Sequence, residues 1–166
     1  MKSAKCLLAL VFCVMLTTFS CSTEDLPQDD LNALTLPAPP PPKVIEVEIL
    51  ELINEYRISK DLSPLKNLDV IKSVAFTHTD YMVEKNEVSH HNFFQRKNSL
   101  VNYAKATSVS ENVAYAYSTA QAVVNAWINS DGHRVNIEGD FTDFDISAEQ
   151  NEDGKWYYTN IFIKRE

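Results

Sequence analysis

From residue 44 onward, apolar side chains recur with the period of a helix. Ile45, Ile49, Leu52, Ile53 and Tyr56 share one stripe, and Glu46, Glu48, Glu51 and Glu55 fall largely off it. The spacing predicts a helix from Val44 to about Lys60-Asp61, where Asp tolerates left-handed geometry and Pro64 lies beyond. A second helix is predicted from about Leu68 to Asn86, with Ile71, Val74, Ala75, His78, Tyr81 and Met82 inward, and a shorter third from Phe93 to Tyr103. Ser118, with Gln121 three residues on, reads as a capping box that opens a fourth helix; Ala122, Val123, Ala126 and Trp127 form its buried face. The period then shortens to two. Phe141 to Gln150 and Lys155 to Lys164 alternate, are rich in β-branched and aromatic residues, and flank the turn Asn151-Glu-Asp-Gly154. Thr107 to Ala114 supplies a third strand. Helices followed by a small antiparallel sheet predict a single α+β sandwich domain over residues 44–166.

Residues 1–43 do not share this pattern. Lys2 and Lys5 precede the apolar run Cys6 to Leu16, which is too short to span a bilayer and ends in Thr17-Thr-Phe-Ser20. This is the layout of a secretory signal peptide over residues 1–20, and Cys21 directly after Ser20 is the expected lipidated N-terminus of a bacterial lipoprotein. Thr18 stands where leucine is usual. An ordinary signal peptide cut elsewhere is the alternative. Residues 21–43 then form a tether that holds six of the chain's seven prolines, including Pro39 to Pro42. Such a run favours polyproline II at about 3 Å per residue and suits a spacer above a membrane.

Charge and composition narrow the chemistry. Fifteen basic against 23 acidic side chains give a net charge of -8, and removal of residues 1–20 makes it -10. No basic face is available for nucleic acid. With three glycines in 166 residues there is no glycine-rich phosphate loop. Cleavage before Cys21 leaves that residue as the sole cysteine, so the domain has no internal disulfide and no thiol nucleophile. All four histidines lie in the domain. His78, on the inward helical face, reads as a packing residue. His90 and His91 follow a helix end, and His133 sits in Asp131-Gly-His-Arg134 at another. Two loop histidines with a carboxylate are compatible with an open zinc site. Solvated loop histidines are the plainer alternative, and spacing does not decide between them.

A series of short blocks resembles the CAP superfamily (cysteine-rich secretory, antigen 5 and pathogenesis-related proteins; the SCP domain). In order they are Leu52-Ile-Asn-Glu-Tyr-Arg57 with Leu62-Ser-Pro-Leu65, Ala75-Phe-Thr-His78 with Met82, Ser89-His90, Ser110-Glu-Asn112, Ala122 to Trp127, Ser130-Asp-Gly-His-Arg134, and Tyr158-Thr-Asn-Ile-Phe162. Absence of domain cysteines matches the bacterial, disulfide-free branch. The resemblance implies an α-β-α sandwich, with a small antiparallel sheet between helical layers and a cleft of two histidines and two acids. It assigns the cleft to His90, Glu111 and His133; Ser130 occupies the place of the fourth member, an acid. Further departures are Ser110, Asp145 and Ser147 for glycines, Asp131 for proline and Asn160 for glutamine.

His90 and His133 are the candidate ligands for zinc or another divalent metal, with Glu111 as a third ligand, a general base, or a structural hydrogen-bond partner. Protons compete for the imidazoles, so such a site weakens below about pH 6. The expected function is that of an exported, lipid-anchored binding or interaction module of the bacterial cell envelope, at the outer membrane or cell surface. Its expected partners are the membrane, through Cys21, and a lipid or other envelope ligand. A metal-dependent, peptidase-like hydrolase is the alternative, and a mostly structural envelope protein a third reading.

Overall fold

The computed structural model describes residues 36–166, and Leu36–Glu166 forms one compact unit. The expected signal segment, Cys21 and the expected tether up to residue 35 lie outside the described residues. Leu36 packs beside Leu68, Val70 and Val109 on the hydrophobic core, so the tether's last residues are part of the compact unit.

Five helices and four strands follow in the order α1 (Val44–Ser59), β1 (Lys66–Asn67), α2 (Asp69–Lys85), α3 (Phe93–Ala104), β2 (Ser108–Tyr115), α4 (Ala120–Asn129), α5 (Asp131–Ile137), β3 (Asp143–Gln150) and β4 (Trp156–Lys164). The sheet order is β1-β3-β4-β2. Strand β4 is central and antiparallel to both neighbours, with Asn160 opposite Ile146 on one side and Asn112 on the other. The sheet is mixed, not wholly antiparallel, because β1 pairs in parallel with the start of β3 through Lys66↔Asp143 and Asn67↔Phe144. A two-residue strand carries no readable period.

Alternation along β4 sorts the core into two layers. Tyr158 and Phe162 join Phe144, Ile146 and Ala148 on the face covered by Ile49 and Ile53 of α1 and by Val123, Val124 and Trp127 of α4. Ile161 and Ile163 face Ile71, Val74 and Ala75 of α2 and Leu100 of α3. The sheet therefore lies between helical layers. Among the described residues no helix is long and apolar enough to cross a membrane.

Local differences from the sequence reading have physical causes. Helix α4 is capped by Thr119, not Ser118: Thr119 is extended and its hydroxyl accepts the Ala122 N–H at 3.2 Å. Gln121 turns along the helix to Asn125. His133 lies within the seven-residue α5, not at a helix end. Along α1 the buried set is Glu46, Ile49, Leu50, Ile53 and Arg57, while Ile45, Leu52 and Tyr56 are only partly covered.

Burial of Glu46 solves an edge problem. Beyond Phe144, β3 has no strand on the β1 side, and its backbone groups need other partners. The Ala148 N–H donates to Glu46 Oε1 (2.8 Å), and the Ile146 carbonyl accepts from Lys72 Nζ (3.1 Å). The Ile146 N–H donates to Asp145 Oδ1 (2.9 Å). Lys72 and Glu46 are paired at 2.7 Å. A buried ion pair thus takes the place of a neighbouring strand. Asp145 and Ser147, read from the sequence as replacing glycines that open the penultimate strand, are buried residues of that strand, β3.

Candidate functional site

Glu111 is fixed by the β2–β4 ladder, where it pairs with Ile161, and its side chain is 1% exposed. Its charge is met by Arg96, which rises from the α3 stripe that also buries Leu100 and Ala104. Arg96 Nε donates to Glu111 Oε2 (2.7 Å) and its terminal nitrogen to Oε1 (2.8 Å), a two-pronged pair. The other terminal nitrogen holds the His91 carbonyl at 2.6 Å, tying the loop after α2 to α3. Burial alone would raise the Glu111 carboxyl. The hydrogen bonds from His90 and Arg96 outweigh it and hold the group below the ordinary carboxylate range.

His90 meets Glu111 Oε1 through Nδ1 at 2.8 Å. An ionised carboxylate only accepts, so Nδ1 carries the proton and Nε2 is left for a ligand. The ring is half exposed, at 53%. His133 approaches from α5, and its Nδ1 lies 2.9 Å from Ser130 Oγ. Burial, with His90 as the lesser cause, lowers the His133 pKa and favours the neutral ring. Ser130, at the place the resemblance gives to an acid, therefore orients the imidazole without adding charge.

A polar relay locks the two sides together. Asn112 Nδ2 donates to the His133 carbonyl (3.1 Å), and Asn136 Nδ2 donates to Asn112 Oδ1 (2.8 Å). His78 is a packing residue, as its helical position implies: it is buried, its Nε2 donates to the Ser89 carbonyl at 2.7 Å, and burial, with Arg96 next, lowers its pKa. His91 stacks on Tyr81 at 5.4 Å.

His90 and His133 face a cavity of about 490 Å³ whose walls include Val88, Val113, Tyr115, Tyr117 and Trp127. The structure thus brings all three sequence-derived residues to one place, but Glu111 stands behind His90 and is absent from the cavity lining. Among the described residues no group of three or more His, Cys, Asp or Glu side chains is arranged to hold a metal. The donor set fits a metal only through the two imidazoles, with Glu111 as the support for one of them. Arg96 is the residue of this cluster that the sequence reading passed over. Its spacing of four from Leu100 and of eight from Ala104 was the available signal.

Comparison with known proteins agrees with this architecture. The model of the CAP family, described as the cysteine-rich secretory protein family, matches residues 50–162. The uncharacterized membrane protein YlbC of Bacillus subtilis (strain 168) is 33% identical over 124 residues, 72% of this chain and 34% of its own length. This chain therefore spans about a third of that relative. An outer surface protein from Borrelia burgdorferi superposes with a TM-score of 0.64 at 23% identity, covering 71% of this chain and 90% of the other. The extracellular SCP-domain protein of Bacillus anthracis str. Ames superposes with a TM-score of 0.62 at 27% identity, covering 72% and 40%. With more than half of its length matched by the family model and its sheet and helical layers shared with these structures, the chain belongs to the CAP (cysteine-rich secretory protein) family.

Proposed function

We propose that the chain is an exported, lipid-anchored CAP-domain binding module of the bacterial cell envelope, working through the His90–His133 cleft. The observation that carries this reading is the state of Glu111. Arg96 engages both of its oxygens and His90 one of them, and the side chain is 1% exposed and outside the cavity lining, so it is not poised as a general base. What faces the cavity is two imidazoles and an aromatic, largely apolar wall, a lining suited to holding an amphipathic envelope molecule such as a lipid. The printed descriptions of the relatives, an outer surface protein and an extracellular protein, support export. The Lys2–Ser20 leader followed by Cys21 supports a lipid anchor. Accordingly, Cys21→Ser is expected to move the protein from the membrane pellet to the soluble exported fraction and to abolish labelling by a palmitate analogue. An unlabelled wild-type chain rejects the anchor.

Zinc is the metal the donor set suits, held by His90 and His133 with Glu111 orienting the His90 ring from behind. The metal would supply a Lewis-acidic contact to an oxygen of the bound molecule. Titration calorimetry at pH 7.5 is expected to show saturable one-site zinc binding that His90→Ala/His133→Ala abolishes. Neutral imidazole is the ligand, and His133 is already pushed below its ordinary pKa. Affinity should therefore hold through neutrality and fall at least tenfold by pH 5. Equal binding by the double variant rejects the cleft as a metal site. Peptide turnover lost in a folded His133→Ala variant would establish the hydrolase reading instead.

A further inference from the structure

A cavity larger than the histidine cleft lies apart from it and shares no residue with it. It is a groove of about 710 Å³ between α1 and the α2–β3 side of the molecule, with Pro39 to Pro42 as one wall. Val47, Leu50, Asn54 and Ile58 run along its α1 side. From Val47 to Ile58 this stripe measures about 16 Å at the helical rise, the reach of roughly five extended residues. Val47 and Ile58 are 40% and 58% exposed, so the two ends of the stripe are open to solvent within the compact unit, while Leu50 between them is buried. Proline fixes its own φ, which makes the wall preformed and reduces the entropy lost when a ligand docks.

Charge selects the occupant. Glu51, Glu55 and Asp69 border the groove. Among the described residues none of the three enters an ion pair. The chain's own segment from Ser22 to Thr35 carries Glu24, Asp25, Asp29 and Asp30 and no basic residue, and a second copy of the chain carries the same net charge of -8. Both are repelled. Strand addition is closed off as well, because Glu46 and Lys72 already occupy the β3 edge that lines the groove.

We propose that this groove docks a basic, extended segment of a partner protein. Aliphatic side chains of the segment lie on the Val47–Ile58 stripe, and its lysines or arginines face Glu51, Glu55 and Asp69. Recognition runs through side chains, not through a shared β-ladder.

The test uses the mature chain from residue 21 carrying Cys21→Ser. The probe is a fluorescein-labelled dodecapeptide that repeats arginine, leucine, lysine and valine, read by fluorescence anisotropy at low salt. Glu51→Lys/Glu55→Lys is expected to weaken binding at least tenfold, and Ile58→Asp at least fivefold. Glu84→Lys/Glu87→Lys, an equal charge reversal at the far end of α2, should change it less than twofold. His90→Ala/His133→Ala should leave it unchanged, which separates this surface from the cleft. The proposal is overturned if the wild type does not bind, if the groove reversal binds as the wild type does, or if the control reversal loses as much. Retained affinity in a folded Ile58→Asp variant overturns it too.

Discussion

Replacing Arg96 by methionine is expected to destabilise the fold by about 3–5 kcal/mol at pH 7, the range seen when one member of a buried ion pair is removed. Methionine keeps most of the aliphatic volume, so the loss reports charge and hydrogen bonding more than packing. Glu111, 1% exposed in the wild type, would keep His90 as its remaining side-chain partner among the described residues. The pH dependence has a definite sign. In the wild type the Glu111 carboxyl lies below its ordinary range, so its stabilising contribution is present above the unfolded pKa and fades as pH falls through the folded one. In Arg96→Met the hydrogen bonds and charge of Arg96 no longer oppose burial, the carboxyl moves up, and acid relieves the weakly compensated charge. The deficit should therefore shrink between pH 7 and pH 5. Urea unfolding at both pH values checks this. A loss below about 1 kcal/mol, or one that does not change with pH, would mean that Arg96 is not the counter-charge of the cleft.

The same residue marks how far the sequence was legible. The elements that bury long periodic stripes, α1, α2 and the β3–β4 hairpin, are visible in the pattern because solvent exclusion repeats at fixed spacing. The short blocks around His90, Glu111 and His133 named three side chains far apart in sequence, and the structure places them within one neighbourhood. Charged residues on buried faces were not legible. Arg96 and Glu46 both sit where the stripe calls for apolar side chains, and each is there because a specific partner 15 to 26 positions away completes it. Local pattern carries no information on such pairings. The role of Asp145 was hidden for the same reason, since it depends on β1 ending after two residues. Helix α5 was missed because seven residues that include Gly132 give too little periodicity and a poor propensity; its place is set by Arg134 on the Ile128 carbonyl and by the long-range bond of Asn136 to the Glu111 carbonyl.

Lys72→Met is the second large effect, again about 3–5 kcal/mol at neutral pH. Among the described residues Lys72 is the cationic side chain bonded to the fully buried Glu46, and it also donates to the Ile146 carbonyl. Its removal leaves the Glu46 carboxylate without its counter-charge, held by the Lys43 and Ala148 N–H groups, and takes a donor from a strand-edge carbonyl at once. Asp145 makes the deficit pH-dependent. Burial, the dominant cause, pushes its carboxyl up to about 6 even with Lys72 nearby to oppose the shift. A carboxyl raised on folding favours the native state below its unfolded pKa and loses that contribution as pH rises through the folded value. Without Lys72 the folded value climbs further, so the variant should recover stability relative to the wild type as pH falls from 8 to 5, and Asp145→Asn in the Lys72→Met background should abolish that recovery. Guanidinium unfolding of the four proteins in this cycle reads both effects. If Lys72→Met is within about 1 kcal/mol of the wild type at pH 8, the β3 edge is held by its ladder with β4 and the ion pair is incidental. If the recovery persists in the double variant, another acid is responsible, and Asp145 is not the group through which this edge senses pH.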